Sequence, residues 1–98
     1  MGLTVRLENE HGRPVHESDI GIDFWVPTGD PSFQLLCYID PYGNTIFNQL
    51  QIDEFLTEWD KLRPEAKTKD DMAAWSGVKQ LATRCKEEVH LYLRFMGD

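Results

Sequence analysis

The side chains able to do chemistry in this chain are two cysteines, three histidines and a surplus of carboxylates. A structural zinc site takes four clustered Cys or His ligands, yet Cys37 and Cys85 lie half the chain apart on apolar stretches. Both are expected to be free, buried core residues. His11 and His16 stand close together in a turn-rich segment without a third ligand, so they read as solvated loop histidines and no metal is expected. A Cys or Ser nucleophile needs a base within hydrogen-bond reach, and the spacing of Cys37 and His90 does not require them to meet. The carboxylate pairs Asp19 with Asp23 and Glu54 with Glu58 fall on polar faces. Nothing there splits their proton affinities as an acid and base pair needs. The glycines form neither GxGxxG nor a P-loop. The chain reads as a non-enzyme without a cofactor.

Charge is the stronger signal. Seventeen acids against ten bases leave a formal net charge of −7. Phosphate binding needs clustered Lys and Arg, and no such cluster occurs, so nucleic acid is not an expected partner. All seven excess negative charges precede residue 65, because residues 65–98 hold six acids and six bases. Asp53, Glu54, Glu58 and Asp60 crowd the predicted outer face of one helix. The like-signed neighbours Glu54 and Glu58 cost a few tenths of a kcal/mol, a cost that a cationic partner would remove. Upstream, Asp19, Asp23, Trp25 and Asp30 mix acids with an aromatic residue in the manner of recognition loops; Trp25 reads equally as surface or core. These eight residues form the expected contact surface for a more basic protein partner.

The elements that must position them follow from hydrophobic period. Leu3, Val5 and Leu7 alternate with polar residues, which predicts a strand near 2–8. Asn9–Pro14 reads as a turn, and Ile20, Ile22, Phe24 and Val26 allow a second strand. Pro27–Ser32 reads as a loop. Phe33–Ile39 is apolar on both faces, which predicts a central strand over 33–39 joined through Asp40–Asn44 to a returning strand at 45–47. From Asn48 the period becomes helical: Ile52, Phe55, Leu56, Trp59 and Leu62 form one stripe of a helix near 49–63, with Asn48 and Gln51 as a capping box and Pro64 as its stop. Thr68 caps a second helix near 68–88, whose stripe is Met72, Trp75, Val78, Leu81, Ala82, Cys85 and Val89. Leu91, Leu93 and Phe95 alternate in a strand near 90–95.

The order predicts an α+β fold in one domain, residues 1–98: a mainly antiparallel sheet of four to five strands with both helices on one face. Trp59 and Trp75 should be buried between helices and sheet. The outer face would then carry Thr4, Arg6, Glu8, His90, Tyr92 and Arg94. Its alternative use is as a small enzyme or anionic-ligand site, with Arg6, His90, Tyr92 and Arg94 holding the ligand.

The run Tyr38-Ile39-Asp40-Pro41-Tyr42-Gly43-Asn44-Thr45-Ile46-Phe47-Asn48, with the ending Leu91-Tyr92-Leu93-Arg94-Phe95-Met96-Gly97-Asp98, resembles a family of small acidic bacterial proteins of uncharacterised function. In size and acidity the chain is also similar to immunity proteins, cytosolic inhibitors of bacterial toxins. The resemblance implies an inhibitory partner-binding role. It carries no contact residues. The N-terminal segment has no signal-peptide core, no run approaches the ~18 apolar residues of a membrane span, and two cysteines suit a reducing compartment. A cytoplasmic protein that does not enter membranes is expected.

Overall fold

The structure, a computed structural model, describes residues 2–97. β1 (Leu3–Asn9) alternates as its sequence requires, burying Leu3, Val5 and Leu7 against the core. β2 (Ile20–Ile22), β3 (Asn44–Asn48) and β4 (Leu91–Met96) complete a four-stranded antiparallel sheet in the order β2-β1-β4-β3. Helices α1 (Ile52–Asp60) and α2 (Lys69–Glu87) pack on one face, so the fold is α+β as expected. No helix among the described residues is long and apolar enough to cross a membrane.

The caps behave as their residue types dictate. Asn48 and Gln51 form the capping box in a 3-10 turn (Gln49–Gln51) that leads into α1, and the Thr68 hydroxyl accepts the Asp71 amide at 3.0 Å. Pro64 sits in a further 3-10 turn (Arg63–Glu65) beyond α1. Phe55 stacks on Trp59 at 5.5 Å; from the sheet, Phe95 meets both rings and Phe47 meets Phe55. The helices are locked together by reciprocal bonds: the Trp59 indole donates to the Trp75 carbonyl (3.1 Å), and the Trp75 indole donates to that of Trp59 (2.9 Å). Both tryptophans are buried, so each apolar ring keeps its one polar group satisfied.

Two glycines are required by local geometry. Asn9 Oδ1 accepts the amides of His11 and Arg13, closing a turn in which Gly12 takes φ +76°. A Cβ at Gly97 would lie 2.3 Å from the Pro41 carbonyl, so only glycine lets the end of β4 approach the chain before β3.

Several expectations fail. Residues 33–39 form no strand: a 3-10 turn (Leu36–Tyr38) interrupts them, and the anticipated hairpin with 45–47 is replaced by pairing of β3 with β4. The run is apolar because Leu36 and Ile39 point into the core, while its amides are satisfied outside any ladder. Cys37 is accordingly only half-buried, whereas Cys85 is buried as expected; both thiols are free. β2 stops at Ile22, although the inside-outside alternation continues through buried Phe24 and exposed Trp25. Met72 and Val89 are exposed, since Met72 lies in the first turn of α2 and Val89 beyond its last.

Candidate functional site

The outer sheet face is assembled by register. Arg6 stands directly opposite Arg94, and Glu8 opposite Tyr92. Adjacent like charges repel, and two carboxylates hold these arginines in place. Asp19 binds Arg6 at two points (Nε–Oδ1 2.9 Å, Nη2–Oδ2 2.7 Å). Glu8, buried on this face, accepts Arg94 Nε at 2.8 Å and lies 3.7 Å from Arg6 Nη1. The Arg6 hydrogen bond holds the Asp19 carboxyl below its ordinary range, and Asp19 in turn raises the guanidinium. Both arginines thus have carboxylate partners within the chain. His90 leaves the face altogether: it occupies the turn before β4 at φ +62°, with Nδ1 3.5 Å from Glu10.

The eight residues expected to form an acidic contact surface have divided fates. Asp19 is spent on Arg6. Asp53 pairs with Lys86 at 2.7 Å and Asp60 with Lys79 at 2.8 Å, and the Asp53 contact raises the lysine. Asp30 accepts the Ser32 amide and hydroxyl, which lowers its carboxyl. Glu58 does not project from a polar helix face. It is 5% exposed and accepts the amides of Leu35 and Leu36 at 3.0–3.1 Å. Charge counted along the chain misses this, because α2 and β4 return cations to acids of the first two thirds. Among the described residues Asp23 and Glu54 keep unpartnered carboxylates, and Trp25 keeps an open ring.

Asp23 and Trp25 follow β2 directly. Trp25 is 54% exposed and meets Phe33 edge-on at 6.5 Å. With Leu3, Ile22 and Thr28 they line a cleft of about 210 Å³. An indole face beside a free carboxylate suits an ammonium or guanidinium group by cation–π and ionic attraction together.

The opposite margin has another character. Gly97 N–H donates to the Gly43 carbonyl (2.7 Å), while Asn48 N–H donates to Gln51 Oε1 (2.9 Å). Antiparallel bonding alternates by residue, so Asn44, Ile46 and Asn48 turn their main-chain groups to the open side of β3. Around them Tyr42 is 76%, Ile46 48% and Leu50 92% exposed. The sequence reading missed this margin. Its signal is the absence of any Asp, Glu, Lys, Arg or His from Pro41 to Ile52.

The remaining reactive groups do not converge. The Cys37 thiol contacts the Gln34 carbonyl, and His90 faces Glu10. His16 accepts the Leu7 amide at 3.0 Å, which ties residues 14–16 along β1 instead of leaving the ring solvated, and His11 lies beside Glu10. Burial pushes the Cys85 thiol up to about 11, keeping it protonated at neutral pH. No family model, curated protein or solved structure matches the chain.

Proposed function

We propose that this protein acts by stoichiometric, non-catalytic binding to a more basic protein partner, which it neutralises or regulates in the manner of a toxin immunity protein. The observation that carries the reading is Trp25, a large ring left open to solvent beside the unpartnered carboxylate of Asp23. Exposed Trp is a frequent energetic anchor of interfaces. The net charge of −7 acts at longer range, drawing a basic partner toward the chain before contact. Of the eight residues first considered, Asp23, Trp25 and Glu54 remain available for contact. The other five are occupied within the fold.

Immobilised protein exposed to native lysate tests this, with a Trp25→Ala, Asp23→Lys variant alongside. A basic protein is expected on the wild type, depleted on the variant and captured less as ionic strength rises. An acidic captured partner, or capture indifferent to both the substitutions and salt, would overturn the proposal.

A further inference from the structure

β3 is the free margin of the sheet, and nothing in its sequence guards it. Exposed edges are ordinarily blunted by charge, proline, a bulge or brevity. Asn44–Asn48 has neither charge nor proline, runs for five residues, and turns the main chain of Asn44 and Ile46 outward without a partner among the described residues. The side chains on the outer face are symmetric about Ile46: asparagine two residues to either side, then Tyr42 and Leu50 at the exposed ends.

We propose that β3 pairs antiparallel with β3 of a second copy about a two-fold axis through Ile46, joining the two sheets into one. In that register the Ile46 amide and carbonyl bond reciprocally to those of the other Ile46, and the Asn44 amide reaches the second lone pair of the Asn48 carbonyl of the second copy, the Asn48 amide staying with Gln51. Ile46 packs on Ile46, and Asn44 meets Asn48, whose side-chain NH2, left over from the capping box, can donate to the Asn44 Oδ1. Tyr42 comes across from Leu50, covering the most exposed large apolar side chain among the described residues.

The electrostatics select this margin for a like-charged partner. Two copies, each at −7, repel wherever acids are apposed. From Pro41 to Ile52 there is no ionised side chain to oppose another. Phe47 stays buried and the Thr45 hydroxyl stays engaged with Asp40 and Tyr38, so pairing needs no repacking of the helical face. The assembly also closes. Each copy spends its β3 margin, and the far ends are β2 strands of three residues flanked by Asp19 and Asp23. An isologous contact of this kind gives a dimer and not a fibre. It leaves Trp25 free on both copies.

Sedimentation velocity over a range of concentrations, combined with amide hydrogen exchange, tests the pairing. Wild-type protein should pass from monomer to dimer as concentration rises, and the Ile46 amide should gain protection over the same range. Ile46→Lys, on the exposed outer face, should keep the circular dichroism of the fold yet weaken dimerisation more than about tenfold, because it apposes like charges at the axis. Trp25→Ala should dimerise as wild type does. A wild type that stays monomeric to its solubility limit, an Ile46 amide whose exchange ignores concentration, or a dimer unaffected by Ile46→Lys would each overturn the inference. The basic-partner reading would be untouched by these failures, since it depends on the other margin.

Discussion

β2 and β3 lie at opposite margins of one sheet and treat their exposed main chain in opposite ways. β2 is three residues long with Asp19 before it and Asp23 after it. The neighbouring length of β1 is covered by residues 14–16, through the Glu8 and Pro14 bridge, the Val15 amide on the Leu7 carbonyl and the His16 ring on the Leu7 amide. Arg84 then ties the Val15 carbonyl to α2 at 2.9 Å. β3 has neither charge nor covering strand. The difference teaches that the chain's acidity is not spread evenly over its margins: carboxylates guard one against strand pairing, while the other is kept neutral and apolar. A ring beside a carboxylate is a contact for side chains. An unguarded ladder is a contact for main chain.

The sharpest way to break this comparison is through the core beneath both margins. Trp59→Ala removes the stack on Phe55 and one indole bond, and should cost about 3–5 kcal/mol in urea unfolding. Amide protection should fall at β2 and β3 together; loss at one alone would show that the margins rest on separate cores. Next comes Glu58→Ala, which strands the Leu35 and Leu36 amides. It should cost about 1–3 kcal/mol and speed maleimide labelling of half-buried Cys37 while Cys85 stays slow. Unchanged stability would mean the 33–39 segment does not depend on α1.

Acid distinguishes the margins more gently. The folded Asp19 carboxyl lies below its ordinary value, so its pairing stabilises the fold above about pH 4 and is lost as pH falls through the folded value. The pair is partly exposed, which limits the effect to under about 1 kcal/mol. Asp19→Asn should lower stability at neutral pH and flatten that part of the acid limb; an unchanged profile would place the sensitivity elsewhere. Comparably small, Trp25→Ala should cost about 1 kcal/mol, since half the ring is exposed and it meets Phe33 edge-on. A large loss would make Trp25 structural and remove the proposed contact.

Much of the fold was legible because its signals are local. The alternation of β1 and β4, the stripe of α1 and the caps at Asn48 and Thr68 each depend on residues within a few positions of one another, and so does the burial of Trp59 and Trp75. What escaped depends on distant partners. Residues 33–39 have the apolar content of a central strand, yet the acceptor for their amides is Glu58, more than twenty positions away. The same contact turned a presumed surface acid into a buried one. Lys79, Lys86 and Arg94 likewise return to Asp60, Asp53 and Glu8, so a linear tally of charge overstated the acidic surface. Trp25, readable either way from its spacing, is open to solvent because β2 ends before it.

The strand order has a consequence for how the protein is made. β4, the last of the four strands in sequence, lies between β1, the first, and β3. β1 can pair with β2, and α1 can meet α2, before residues 91–96 leave the ribosome, but until then no strand bridges β1 and β3. The sheet is complete only once β4 enters between its two neighbours, as the keystone of the strand order.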